Sequence, residues 1–184
     1  MKRQIPREMS IFIILAALFA GFWALGYVAP KSATEAQDQK LRKTLNQITV
    51  PDIQGTTIDG KPFRLADYKG KPVLLNFWAT WCGPCQMEIP DLIKLQQEFG
   101  PQGLTVVGLS EDTDAAPVTR FVQERKINYP ILIAPDGVAQ ALQVQGLPTS
   151  YLIGRDGKIA YMTPGVFQGQ SMRDVWAPEI QKVL

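Results

Sequence analysis

From Val73 to Ala79 the chain reads VLLNFWA, apolar at all but one position, the pattern of a strand buried on both faces. Ile89, Leu92, Ile93, Leu95 and Phe99 then recur at helical spacing and predict a helix over Pro84–Phe99, ended by Gly100-Pro101 and kinked at Pro90. Leu104–Leu109 reads as a second buried strand, Ala115–Lys126 as a helix, Ile131–Ala134 as a third strand and Val138–Val144 as a short helix. Ser150–Ile153 and Lys158–Met162 flank Arg155-Asp156-Gly157 as a hairpin, and Ser171–Val183 closes the chain as a helix containing Pro178. Ahead of these, Ile48–Ile53 has the content of a short strand. Thr56–Ile58 and Pro62–Leu65 flank the turn pair Asp59-Gly60. Strands alternating with helices and closing on a hairpin predict an α/β fold with a central mixed sheet flanked by helices.

The amino-terminal region has a different pattern. Met9–Ala29 runs 21 residues without a charge. As a helix it would be about 31 Å long, enough to cross a hydrocarbon core. Trp23 and Tyr27 stand toward its outer end, where amphipathic rings favour the interface. Lys2, Arg3 and Arg7 precede it and place residues 1–8 in the cytoplasm. A cleaved signal peptide is the competing reading. The run exceeds the usual apolar region, and Tyr27 occupies the −3 place of Tyr27-Val28-Ala29, a poor cleavage site. A buried core helix is the third reading. The expectation is a single transmembrane signal-anchor over 9–29, a polar linker over 30–47 and one domain over 48–184, exported beyond the cytoplasmic (inner) membrane to the periplasmic or extracytoplasmic side.

Charge and composition remove several function classes. The formal net charge is +2, but residues 1–47 carry 7 basic and 3 acidic side chains, whereas residues 48–184 carry 12 and 14. The domain is not basic, so nucleic-acid binding has no electrostatic support. There is no histidine, which removes imidazole acid–base chemistry and most catalytic metal sites. The two cysteines alone cannot complete a zinc site. No metal and no cofactor is expected.

The sharpest chemical signal is Trp81-Cys82-Gly83-Pro84-Cys85, at the junction of a buried strand and a helix. A disulfide there closes so small a loop that chain entropy contributes only about 2 kcal/mol. Such a bond suits repeated opening better than stapling. At a helix start, unpaired N–H groups and the dipole favour a negative charge on Cys82. Cys82, the outer residue, is therefore the attacking thiol, and Cys85, one turn inward, the resolving one. Pro84 fits the first helical turn, and Gly83 permits close approach of another backbone. A plain structural disulfide and two free buried thiols are the alternatives for this pair.

The segment Asn76-Phe77-Trp78-Ala79-Thr80-Trp81-Cys82-Gly83-Pro84-Cys85, continued by Gln86-Met87-Glu88-Ile89-Pro90 and later by Gly146-Leu147-Pro148-Thr149-Ser150-Tyr151-Leu152-Ile153, resembles the thioredoxin superfamily active site. Together with the apolar amino terminus, it is similar to the TlpA/ResA-like membrane-anchored thioredoxins. The resemblance covers about residues 48–184 and implies a thioredoxin-like fold with an N-terminal β-hairpin extension and a helix–strand insertion between Cys85 and Pro148. It implies that Pro148 is a cis-proline beside the dithiol, with Leu147 presenting main-chain groups to an extended substrate. Trp81 would cover the dithiol rim and Trp78 would lie in the core. Trp81, Gly83, Pro84, Leu147, Pro148 and Thr149 are thus the candidate substrate-binding residues. Cys82, Cys85 and Glu88 are the candidate catalytic ones.

Two departures from cytoplasmic thioredoxins matter. Asn76 stands where those proteins carry a buried, proton-relaying Asp, and an amide does not titrate. Glu88, three residues after Cys85, stands where TlpA/ResA-like proteins have an active-site acid. Burial would raise its pKa and couple it to the thiols. An exposed Glu favoured by the helix dipole is the bland alternative. Thr149 follows the cis-proline where cytochrome c maturation thioredoxins commonly carry an acid, which argues against a dedicated haem-maturation role.

The expected function is an extracytoplasmic, membrane-tethered thiol–disulfide oxidoreductase acting as a reductase of disulfides in exported proteins, apocytochrome c among the candidates, with electrons from a transmembrane thiol transporter. A disulfide oxidase or isomerase shares every residue named above. A tethered binding or assembly protein with an incidental redox pair is the alternative from another class. A peroxidase would need a peroxide-reactive cysteine in its own motif, and no cysteine lies outside WCGPC.

Overall fold

Strand β3 (Val73–Trp78) is the centre of the molecule, with all six residues buried. In the computed structural model, which describes residues 40, 43–45, 47–165 and 171–184, it lies in a five-stranded sheet of order β5-β4-β3-β6-β7. Strand β4 (Thr105–Ser110) runs parallel to β3, with Val73 opposite Thr105 and Trp78 opposite Ser110. Strand β5 (Ile131–Ile133) extends the parallel half beyond β4. Strands β6 (Thr149–Ile153) and β7 (Ile159–Pro164) form the antiparallel half. Parallel neighbours need a helical crossover, and the chain supplies α1 (Gly83–Phe99) between β3 and β4 and α2 (Ala115–Arg125) between β4 and β5. A short α3 (Val138–Ala141) and a closing α4 (Met172–Gln181) complete the elements. The expected helix–strand insertion between Cys85 and Pro148 is α2 followed by β5, and β5 supplies one edge of the sheet.

The pleat divides the core in two, because successive side chains of a strand face opposite ways. Leu74 and Trp78 face α1, α2 and α4, where Ile89, Leu92, Val118, Met172, Trp176 and Ile180 meet them. Val73, Leu75 and Phe77 face the other way, toward Ile53, Phe63, Val138, Leu142 and Tyr151. Leu45 packs into this second cluster. Residues Arg42–Leu184 make one compact unit.

A small antiparallel hairpin of β1 (Gln54–Thr56) and β2 (Pro62–Arg64) precedes the sheet, as expected around Asp59-Gly60. Gly60 has φ +85°, which a glycine adopts without a Cβ clash. Ile58 N donates to Ile131 O at 2.9 Å and docks the hairpin turn on β5. The strand expected over Ile48–Ile53 is absent. The ladder begins only at Gln54: Ile53 O accepts from Leu65 N at 2.8 Å just outside the β1–β2 pairing, and Ile48, Val50 and Ile53 pack on the second core face. The helix expected over Val138–Val144 stops at Ala141, with Gln143 at φ +57° after it. Pro90 and Pro178 lie inside α1 and α4 without ending them. Among the described residues, no helix is long and apolar enough to cross a membrane. The transmembrane segment expected over 9–29 lies outside the described residues, as does most of the linker over 30–47.

Candidate active site

Cys82 occupies the N-cap position of α1, with extended backbone dihedrals, and its Sγ accepts a hydrogen bond from Cys85 N at 3.2 Å. Helix starts leave N–H groups without intrahelical partners, and here one of them is turned onto the outer sulfur. The two cysteines form a disulfide with S–S 2.03 Å and Cα–Cα 5.3 Å. Cys85 is fully buried, whereas Cys82 keeps a small exposed area. Trp81 is 69% exposed and Met87 73%, the exposed large hydrophobic residues among those described. Gly83 and Pro84 are exposed as well. Trp78 is buried, as expected of a core residue.

The Leu147–Pro148 peptide bond is cis. Thr149, the next residue, pairs with Phe77, so the proline precedes β6 at the same end of the sheet from which β3 leads into Cys82. Leu147 is half-buried and packs against both core clusters. Thr149 is turned inward: it is buried, and its hydroxyl donates to Gly146 O at 2.7 Å. Its backbone lies in the sheet, opposite Phe77 of β3 and Pro164 of β7.

Glu88 lies one turn behind Cys85 and is 6% exposed. Burial pushes its pKa up to about 8, opposed by a hydrogen bond donated by Asn76. The amide Nδ2 of Asn76 donates to Glu88 Oε1 at 2.5 Å and to Ser150 Oγ at 3.0 Å, while its Oδ1 has no partner. Tyr129, also buried, has its pKa raised by desolvation and by the charge of Glu88. The acid is thus held in a largely dry pocket by a single amide, the condition in which a carboxyl exchanges protons near neutral pH.

Sequence reasoning identified Asn76 and Glu88 but missed Ser150, Tyr129, Thr80 and Asp112. Ser150 and Tyr129 come from distant segments, and nothing in their local pattern marks them. Thr80 and Asp112 lie at the ends of adjacent strands, and an acid two residues past a buried strand was the available signal. No group of acids and cysteines able to hold a metal occurs among the described residues. A cleft of about 390 Å3 opens between the hairpin and α2, lined by Thr57, Lys61, Gln123 and Tyr129. The disulfide does not line this cleft. Its sequence neighbours Trp81, Gly83 and Pro84 are exposed.

The sequence pattern of the AhpC/TSA family matches residues 47–162. The chain is similar to the thiol-disulfide oxidoreductase ResA of Geobacillus thermodenitrificans (strain NG80-2), 30% identical over 173 residues that cover 94% of this chain and 93% of that one. It is 28% identical over 174 residues to the ResA of Bacillus subtilis (strain 168), covering 94% and 91%. Among solved structures, a putative thiol:disulfide interchange protein DsbE from Chlorobium tepidum is 28% identical with a TM-score of 0.67, over 73% of this chain and 94% of that one. A secreted thiol-disulfide isomerase from Corynebacterium glutamicum is 26% identical with a TM-score of 0.62, over 72% and 85%.

Proposed function

Because the chain belongs to the AhpC/TSA family and is a thiol–disulfide oxidoreductase of thioredoxin-like fold, we propose that it reduces disulfides in exported proteins while tethered to the cytoplasmic membrane. One observation carries this reading: the Cys82–Cys85 disulfide caps α1 beside exposed Trp81, Gly83 and Pro84, with buried Glu88 one turn behind Cys85. In the proposed reaction, reduced Cys82 attacks as the thiolate, favoured by the N–H groups of the helix start. A bond forms from Cys82 Sγ to one partner sulfur, and the partner's other sulfur leaves as a thiolate that takes a proton from water. Cys85 then gives its proton to ionised Glu88 and attacks Cys82 Sγ, and the second partner sulfur leaves as a thiolate that takes that proton from Glu88. The partner gains two electrons and two protons, and the Cys82–Cys85 pair is left oxidised. A carboxyl poised at about 8 can take and return that proton near neutral pH.

Trp81, Gly83 and Pro84 on one side and the backbone of Leu147, Pro148 and Thr149 on the other would receive an extended partner segment. Residues 9–29 would anchor the chain, with residues 1–8 in the cytoplasm and the domain on the periplasmic or extracytoplasmic side. A transmembrane thiol transporter would return electrons to the disulfide. Apocytochrome c is one candidate among the exported substrates.

Equilibration in dithiothreitol buffers of graded potential, read by the fluorescence of the tryptophan beside Cys82, tests the direction. A two-electron potential near about −270 mV is expected. A value near about −120 mV would make the protein an oxidant of dithiols and sink the reductase reading. The tether is tested separately. Protease added outside intact spheroplasts should release the domain, and protection of the domain would overturn the assigned side.

A further inference from the structure

Thr80 stands two residues before the attacking cysteine, and each of its polar groups is held by a side chain from elsewhere. Its N donates to Asp112 Oδ2 at 2.8 Å, and its hydroxyl donates to Asp112 Oδ1 at 2.6 Å. Its carbonyl accepts from Gln86 Nε2 at 2.7 Å. Asp112 lies between β4 and α2 and is 7% exposed; Ser110 Oγ gives its Oδ2 a third hydrogen bond at 2.6 Å. Gln86 comes from the first turn of α1, one residue after Cys85.

The strand ladder explains why these groups meet. Trp78 is paired with Ser110, and Glu111 N donates to Trp78 O at 2.8 Å. A continuing parallel ladder would have Thr80 N donate to the carbonyl of Glu111. The Asp112 carboxylate takes that donor instead. The ladder stops there, and the chain turns out of the sheet, with Cys82 N donating to Ala79 O at 3.2 Å. Trp81 is thereby left exposed and Cys82 is delivered to the helix cap.

We propose that Asp112 and Gln86 are positioning residues for the thiol–disulfide exchange: acting through Thr80, they hold the turn that sets Cys82 Sγ against the N–H groups of α1. This deepens the exchange chemistry proposed above and does not depend on its direction. If the turn loosens, the sulfur loses its place at the helix start and the thiolate loses its donors.

The experiment is alkylation of Cys82 in the reduced full-length chain by iodoacetamide across a pH series, alongside a urea unfolding curve for each variant. Thr80→Val keeps the branched shape and removes the hydroxyl. It should move the alkylation midpoint upward and slow the reaction at about pH 6 by about tenfold, as a misplaced reacting group does. Thr80→Ser restores the hydroxyl and should alkylate within about twofold of the original chain. Gln86→Met, which removes only the donor to the carbonyl, should shift the midpoint the same way by a smaller amount. A Thr80→Val profile that matches the original overturns the proposal, and so does a Thr80→Ser profile as displaced as that of Thr80→Val. Alkylation reads Cys82 alone, so a failure here is distinct from a potential that reverses the electron flow.

Discussion

Two buried carboxyl groups lie close to the redox segment, Asp112 bonded to Thr80 and Glu88 three residues after Cys85, and they are provided for differently. Asp112 is 7% exposed and Glu88 is 6% exposed. Asp112 accepts three hydrogen bonds, two from Thr80 and one from Ser110. Glu88 accepts one, from an amide that also serves Ser150. Buried carboxyl oxygens need donors in place of water, and Asp112 has more of them than Glu88. Equal burial therefore yields two roles: Asp112 is a fixed strut, and Glu88 is an acid whose pKa rises to about 8. Depth alone does not distinguish structural from chemical carboxylates, whereas the donor count does.

The largest effect belongs to neither acid. Cys82→Ser should abolish turnover of a protein disulfide while the chain still unfolds cooperatively in urea. Residual exchange through Cys85 would mean that the outer sulfur is not the attacking one. Such a result would detach both carboxylates from the chemistry assigned to them.

Next in size is the pH dependence of stability. Burial raises the pKa of the Glu88 carboxyl to about 8 in the folded chain, against an ordinary value of 4.5. Between those values the folded chain binds more protons than the unfolded one, so stability falls as pH rises. The contribution is intact below about 4.5 and lost above about 8. Glu88→Gln should remove this slope and stabilise the chain at about pH 9 by roughly 2–4 kcal/mol relative to the original. An unchanged slope would place the charged form of Glu88 in water.

Asp112→Ala sharpens the contrast from the other side. It leaves two donors of Thr80 and one of Ser110 without their acceptor, at a cost of about 2–3 kcal/mol by urea unfolding near neutral pH. Loss of Glu88 should cost less than that under the same conditions. If both alanine variants cost the same, the donor count has no bearing on the difference. Smallest is Ser150→Ala, which removes one acceptor from the Asn76 amide and should cost about 1 kcal/mol. It should also leave the midpoint of Glu88 nearly in place, because Asn76 Nδ2 still donates to Oε1. Carbon-13 titration of the Glu88 carboxyl reads that midpoint directly.

Local patterns were sufficient where a residue's partners are its own neighbours. The VLLNFWA run, the helical spacing from Ile89 to Phe99 and the Asp59-Gly60 turn each lie within one element, and β3, α1 and the first hairpin appeared where expected. Ile48–Ile53 misled because apolar residues fit equally a strand or a segment packed across a sheet face. Pairing decides between those two, and the ladder with β2 begins only at Gln54.

The sequence alone marked Cys82 and Cys85 as the redox pair, with Cys82 as the expected attacking thiol. Two cysteines spaced by Gly-Pro at a strand-to-helix junction leave little else for that segment to do. It also marked Glu88 and Pro148 as residues of interest through their place in a familiar pattern. Only the tertiary structure decided how Glu88 and Asp112 differ. That difference depends on donors brought from β3, from Thr80 just beyond it and from β4, separated from these acids by as many as 32 positions in the case of Thr80 and Asp112. Hydrogen-bond supply is a property of what surrounds a group in space, and a one-dimensional pattern does not carry it.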